Sequence, residues 1–372
     1  MLESPRPRRA TRPVKVGSLT IGGSAPIVVQ SMTKTDTRDV GATLTQIEQM
    51  VEVGCELVRL AVPDGEAAKA LGEIQRRIPN VPLVADIHFQ PRLALMALDA
   101  GVAKLRLNPG NIGSRKQLRE VVLKAQSCGV PIRIGVNAGS LERRLLEKYG
   151  YPTAEVMVES ALEHIRLLEE LGFRDIVVSL KSSHVPLTVD AYRLLAPQVD
   201  YPFHLGITEA GTAFAGTIKS AIGLGMLLAE GIGDTIRVSL AADPVEEVRV
   251  AYEILKALQI RARGLIVIAC PTCGRLEVDL FRIASEIEKH TVHIKEPLHL
   301  AVMGCAVNGP GEARMAHLGV ACGRGNGVIY RDGQAIKRVP EDQIVPVLVQ
   351  EIERYIEAMR HSGTATPGEP SQ

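Results

Sequence analysis

Three cysteines and one carboxylate have a spacing that can do chemistry. Cys270-Pro271-Thr272-Cys273 sets two thiols two residues apart, and Met303-Gly304-Cys305-Ala306-Val307-Asn308-Gly309-Pro310-Gly311-Glu312 adds a third thiol with a glutamate seven residues beyond it. Cysteines at this short spacing can bend round one metal centre, and the flanking Pro and Gly let backbone N–H groups turn towards sulfur. Three thiolates and one oxygen donor differ from a closed structural zinc site, which takes four Cys or His ligands. Soft sulfur donors suit an iron–sulfur cluster, and a hard, replaceable Glu would leave one iron open to chemistry. The competing reading is a zinc knuckle completed by Cys322, His299 or His317. Cys322, in Val320-Ala321-Cys322-Gly323, reads equally as a small buried apolar residue.

A second group of residues belongs to repeated strands. Short β-branched runs recur at Ile27–Gln30, Leu57–Leu60, Leu83–Asp86, Lys104–Leu107, Ile132–Gly135, Ile176–Ser179, Phe203–Gly206 and Ile236–Ser239. Helical patterns lie between them, as at Thr43–Val53, Arg115–Ser127, Ala154–Leu171 and Pro244–Leu258, and Gly54, Gly101, Gly129 and Gly172 stand where helices end. Eight such alternations predict an α/β fold, a TIM-like (β/α)8 barrel over residues 1–262. An open doubly wound sheet would need a Gly-rich fingerprint opening its first helix. Here Gly22-Gly23-Ser24 precedes the first strand and reads as a turn.

Arg59, Arg106, Arg133 and Arg237 each stand between apolar residues of a predicted strand, where burial of a guanidinium is costly unless it is paired. Asp86 and Glu209 are the available structural partners. With Lys181 beside the sixth strand, the cations outnumber them. Convergence on a strongly anionic ligand explains the excess, since Arg forks match phosphate oxygens. Asn108, Asn137, Ser182, Ser183, Thr208 and Glu209 follow their strands, at the mouth where barrel active sites lie. Asn108-Pro109-Gly110-Asn111-Ile112-Gly113 offers a candidate phosphate nest. His88 and His204 sit near strand ends as candidate hydrogen-bond donors, whereas His164, Cys55 and Cys128 read as structural, the two cysteines as small buried residues.

Beyond Arg261-Ala262-Arg263-Gly264, a smaller α+β unit is expected over residues 263–360. It starts with a strand ending at Cys270, followed by a helix from Glu277 to Lys289 and a strand ending near Cys305. Strands at Leu318–Ala321 and Gly327–Tyr330, a hairpin turn at Arg331-Asp332-Gly333-Gln334 and a helix from Val339 to Met359 complete it. Residues 361–372, rich in Gly, Pro and Ser, read as a disordered tail.

Composition narrows the function class. Lys+Arg 43 against Asp+Glu 42 gives a net charge of +1, so no whole-surface attraction to nucleic acid or membrane is expected and any anion site must be local. Aromatic content of 3% with no Trp leaves few rings for base stacking. Six cysteines, three of them clustered, suit a reducing cytosol rather than a disulfide framework. The basic start Arg6-Pro7-Arg8-Arg9-Ala10-Thr11-Arg12 lacks a following apolar region and reads as a solvated tail, and no apolar run is long enough to span a bilayer.

Several segments together carry a family resemblance: Val84-Ala85-Asp86-Ile87-His88-Phe89, Arg106 to Gly113, Arg133 to Leu141, His204 to Gly211, and both cysteine loops. Over nearly the whole chain the sequence resembles the bacterial 4-hydroxy-3-methylbut-2-enyl diphosphate synthases of the methylerythritol phosphate route to isoprenoids. The resemblance implies a 4Fe-4S cluster on Cys270, Cys273, Cys305 and Glu312. It implies a barrel holding 2-C-methyl-D-erythritol 2,4-cyclodiphosphate through Arg59, Asp86, Arg106, Asn108, Arg133, Asn137, Lys181, His204 and Ser239, with Glu209 transferring a proton. Reduced flavodoxin or ferredoxin would supply two electrons for ring opening with loss of water. A cytoplasmic homodimer, with the cluster domain of one subunit closing over the partner's barrel, is implied too. Two other classes compete: an iron–sulfur carrier or sensor using the barrel as scaffold, and a zinc-bearing barrel lyase acting on a phosphorylated sugar.

Overall fold

The computed structural model describes residues 6–362 and divides into two compact units after Gln259. The first opens with a hairpin, β1 (Val14–Val16) and β2 (Leu19–Ile21). Eight parallel strands follow: β3 (Val28–Met32), β4 (Leu57–Ala61), β5 (Leu83–Asp86), β6 (Lys104–Leu107), β7 (Ile132–Asn137), β8 (Ile176–Lys181), β9 (His204–Leu205) and β10 (Thr235–Ile236). Their order is β8-β7-β6-β5-β4-β3-β10-β9, and a parallel bridge between Val178 and Phe203 joins β8 to β9. The sheet thus closes, and the expected eight-stranded barrel is borne out.

Helices α1 (Val40–Glu52), α2 (Gly65–Arg77), α3 (Pro91–Asp99), α4 (Arg115–Cys128), α5 (Arg143–Tyr149), α6 (Ala154–Glu169), α7 (Val185–Leu195), α8 (Ala213–Ala229) and α9 (Pro244–Ala257) connect the strands. Each expected helix-ending glycine takes a positive φ, as at Gly129 beyond α4 (64°). The hairpin was not foreseen. Its Val14, Val16 and Ile21 pack against Val28, Leu57, Val84 and Val177, the first inward residues of four barrel strands, and so plug the amino-terminal end.

The basic start is docked rather than solvated. Arg8 pairs with Asp234 at 2.7 Å, Arg12 pairs with Asp200 at 2.6 Å, and Arg9 lies over the Phe203 ring. The aligned acids and aromatics belong to the β9 and β10 segments, far away in sequence, so local charge alone reads as a tail.

The second unit contains β11 (Leu265–Ala269), α10 (Leu280–Thr291), β12 (Leu298–Met303), α11 (Gly309–Met315), β13 (Leu318–Gly323), β14 (Asn326–Arg331), β15 (Gln334–Pro340) and α12 (Ile344–Ser362). Its sheet runs in that order, parallel for β11, β12 and β13 and antiparallel from β13 to β15. Ile283 and Ile287 of α10 and Leu348 and Ile352 of α12 share one core with Leu300, Val320 and Ile329 of the sheet. The last helix starts later than its expected Val339, because Val339 and Pro340 still belong to β15. The expected tail overlaps that helix at His361 and Ser362 and otherwise lies outside the described residues.

Candidate active site

The carboxyl end of the barrel opens on a cavity lined by Arg59, Asp86, His88, Arg106, Arg133, Asn137, Lys181, Thr208, Arg237 and Ser239. Inward-facing strand positions explain the set. Arg106 pairs in register with Asp86 on one side and Arg133 on the other, and Asn137 pairs with Lys181. Five cationic side chains thus face one carboxylate. Asp86 lies 3.3 Å from Arg106, 3.5 Å from His88 and 3.9 Å from Arg59. Burial alone would raise its carboxyl, but Arg59, His88 and Arg106 together hold it well below the usual range. Arg237 finds its counter-ion in Glu247 of α9, at 3.2 Å.

Glu247 is the functional neighbour that sequence reasoning missed. It is buried, accepts from Ser31 Oγ at 2.8 Å and from Leu240 N at 3.1 Å, and ties β3, α9 and the turn after β10 together. Its signal was present: Pro244, Glu247, Val248 and Ala251 form the inward stripe of α9.

The remaining cations are under-satisfied. Arg133 is 1% exposed and donates Nη1 to Ser179 Oγ at 3.0 Å, leaving Nε and Nη2 without partners. Burial pushes Arg133 and Lys181 well below their usual values, each reinforced by neighbouring guanidinium groups. Arg59 is pushed down to about 10 by burial despite Asp86. A wall of buried donors short of acceptors is matched to a multiply charged anion.

Two glycines make this crowding feasible. A Cβ on Gly135 would stand 2.5 Å from Arg106 Nε, and one on Gly206 would stand 2.6 Å from Lys181 Nζ.

Three expected site residues are not part of the cavity lining. Asn108 spends its Oδ1 on Gly135 N at 3.0 Å, bracing β6 against β7 rather than lining the cavity. His204 is fully buried, and its nearest polar partner is Thr235 Oγ1 at 3.4 Å. Burial and the cations Lys181, Arg133 and Lys104 push it well below the ordinary imidazole value, so it is neutral. Glu209 is exposed and does not line the cavity; its backbone is left-handed, with φ 50°. Phe89 after β5 and Thr272 inside the first cysteine loop share that unusual conformation, so three of the five such non-glycine residues among the described ones flank candidate sites.

The candidate nest at Asn108–Gly113 is a 3-10 turn at Pro109–Asn111. Gly110 abuts His164, which pairs with Glu142 at 2.8 Å, so this loop is packed on α6. Cys55 is buried as expected, while Cys128 is exposed.

In the second unit both cysteine loops follow neighbouring parallel strands. Ala269 is in register with Val302, Cys270 N donates to Val302 O at 3.0 Å, and Glu277 N reaches Gly304 O at 3.4 Å. Glu312 stands in the first turn of α11, a helix where Gly309-Pro310-Gly311 reads in sequence as a turn. Proline fits there because the first helical residues need no N–H partner. The backbone segments meet, but the side chains do not close up. Among the described residues no three His, Cys, Asp or Glu form a group able to hold a metal ion. Cys273 is exposed on its turn and Cys270 half-buried.

The donor set nevertheless suits a metal. The N–H groups of Val307 and Asn308 donate to the Cys305 thiol and, with Arg275, hold it below its usual value, which favours the thiolate a metal binds. Cys322 behaves oppositely. It is 1% exposed within the core of the unit, and burial pushes its thiol up to about 12.

Family models match both units: the GcpE TIM-barrel domain over residues 11–252 and the GcpE protein C-terminal domain over residues 266–354. This chain belongs to the GcpE family. The relative from Geobacillus thermodenitrificans, 4-hydroxy-3-methylbut-2-en-1-yl diphosphate synthase (flavodoxin), is 60% identical over 94% of this chain and 93% of its own length. The protein of the same name from Geobacter sulfurreducens is 59% identical over 93% and 98%. Among solved structures, a dihydropteroate synthase from Xanthomonas albilineans covers 67% of this chain and 99% of its own, at 14% identity and a TM-score of 0.48. In this GcpE chain no described helix is long and apolar enough to cross a membrane.

Proposed function

We propose that this chain catalyses the reaction for which its GcpE relatives are named: two-electron reductive ring opening of 2-C-methyl-D-erythritol 2,4-cyclodiphosphate, with loss of water, to 4-hydroxy-3-methylbut-2-enyl diphosphate. The observation that carries the reading is the cavity of five cations against Asp86. Arg59, Arg106, Arg133 and Lys181 hold the diphosphate, and Arg237 closes the ring of charge. Asn137 and Ser239 add hydrogen bonds. Asp86 fixes Arg106 and His88 through its Oδ1 and Arg59 through its Oδ2. Asn108 and His204 are assigned to the frame of the site. Glu209, at the mouth, is the group we assign to proton transfer.

Cys270, Cys273, Cys305 and Glu312 would hold a 4Fe-4S cluster. When bound, that cluster would supply the electrons for the ring opening, one at a time. Reduced flavodoxin, the donor in the relatives' names, is the assigned partner.

A second copy of the chain belongs to the proposal, one subunit's cluster unit serving the other's barrel. Its support is α8, which has one charged residue, Lys219, among 17. Phe214, Ile218, Ile222 and Met226 are exposed at four-residue spacing. An antiparallel copy across a two-fold sets Phe214 against Met226 and Ile218 against Ile222, a self-complementary stripe.

The test is anaerobic reconstitution with iron and sulfide, followed by reaction of the cyclic diphosphate with reduced flavodoxin, read by phosphorus NMR. Conversion to the open-chain diphosphate is expected. A protein carrying zinc without sulfide, and inert to the cyclic diphosphate, would replace this reading with a barrel lyase.

A further inference from the structure

Below the cavity the barrel interior stays polar for one more layer. Lys104 stands two residues before Arg106 on β6, so it enters the barrel on the same side, one step deeper. It is fully buried, and its one hydrogen bond is long, 3.4 Å to Gln30 Oε1 of β3. Arg133 and His204 are buried in the same interior, and Arg133 Nε and Nη2, His204 Nε2 and Gln30 Nε2 have no hydrogen-bond partners. The layer therefore holds more donors, on Lys104, Arg133 and Gln30, than partners to accept from them.

The charges that act on Lys104 are of its own sign: Arg59 of β4 and Arg133 of β7. Arg106 of its own strand, Lys181 of β8 and Arg237 after β10 line the cavity above, and His204 of β9 is neutral. β5 supplies the carboxylate Asp86, already shared by Arg59, Arg106 and His88. Glu247 behind β3 serves Arg237 and Lys34. Guanidinium groups do not give up protons, so an over-charged layer sheds them from its amines. Burial, with Arg133 and Arg59, pushes Lys104 well below its usual value. A diphosphate against Arg133 and Lys181 reverses the local field and restores the ammonium.

We propose that Lys104 is a positioning residue that takes up a proton when a diphosphate fills the cavity above it, making anion binding and recharging of the barrel interior one linked step. The inference rests on the anion-binding reading of the cavity and goes beyond it, since Lys104 does not line that cavity. The sign follows from linkage: the bound state holds more protons, so affinity falls as pH rises between the value of Lys104 in the empty protein and its higher value in the complex. His204 and Lys181 add to the total uptake; the share of Lys104 is the difference between wild type and variant.

The test is calorimetric titration of the full-length protein with inorganic diphosphate at pH 7 to 9, in buffers of different ionisation heat. Wild type is expected to take up protons, and Lys104→Met to take up fewer, by as much as about one proton. The slope of log Kd against pH should become shallower by the same amount; ionisation of the ligand is common to both proteins and cancels. Lys104→Gln keeps a hydrogen-bonding group beside Gln30 without the charge and should match Lys104→Met, which covers a fold-disrupting effect of either change. If Lys104 has a structural role alone, its replacement lowers the melting temperature and leaves the linkage intact, and that result overturns the proposal. Failure of the wild type to bind diphosphate at all would overturn both this inference and the anion reading; unchanged linkage with normal binding overturns this one alone.

Discussion

The barrel cavity and the cysteine loops both lie at the carboxyl ends of parallel strands, but their side chains are held differently. Arg59, Arg106, Arg133 and Lys181 are strand residues, locked by register and by two glycines that leave room for them. Cys273 and Glu312 stand on a turn and on the first turn of a short helix, and no metal-holding group forms among the described residues. A site on buried strands is built by folding and can bind its anion without further ordering. A site on turns is completed by its metal, whose binding energy draws the donors together.

The largest expected effect removes the metal side of that contrast. Cys305→Ser should abolish iron retention and reduce turnover to background, while inorganic diphosphate still binds the barrel with near wild-type affinity; iron analysis and calorimetry on one preparation check both halves. Loss of both functions together would erase the distinction between the sites.

Arg133→Met attacks the other side. It should weaken diphosphate binding by about 2–4 kcal/mol, roughly 30- to 1,000-fold, with iron content unchanged. Next in size is Gly135→Ala, whose methyl group collides with Arg106. A loss of about 10- to 100-fold in diphosphate affinity is expected, again with iron retained. An affinity equal to wild type would mean that Arg106 can move aside and that the cavity is less rigid than its register suggests.

The smallest effect concerns Cys322. Cys322→Ser should leave iron content intact and cost about 1–2 kcal/mol of stability, because a hydroxyl replaces a buried thiol in an apolar core. Iron loss as complete as for Cys305→Ser would show that the fourth donor is sulfur and that Glu312 is not a ligand.

Much of this contrast was legible in the residues themselves. The eight barrel strands announce themselves as β-branched runs ending in polar residues, because a parallel strand is buried on both faces and changes character abruptly at the mouth. The arginines were legible because a charge inside such a run is anomalous. What stayed hidden depends on contacts between distant segments. Lys104 reads as an ordinary strand opening until the barrel closes round it beneath Arg106. Asn108 and His204 fall outside the cavity lining for the same reason: proximity to a strand end does not tell whether a side chain reaches the mouth or braces its neighbour. α11 was concealed because Gly-Pro-Gly favours a turn in isolation, and its Ala313 finds an apolar setting only against β12 and β13.

The most direct test of the joint action of these sites is the electron paramagnetic resonance spectrum of the reduced, iron-loaded protein, recorded with and without the cyclic diphosphate. The proposed function predicts that the substrate alters the signal of the wild type and leaves that of Arg133→Met unchanged at the same concentration, because the variant lacks a cation that holds the diphosphate. A wild-type signal indifferent to saturating cyclic diphosphate, with binding verified by calorimetry, would contradict it.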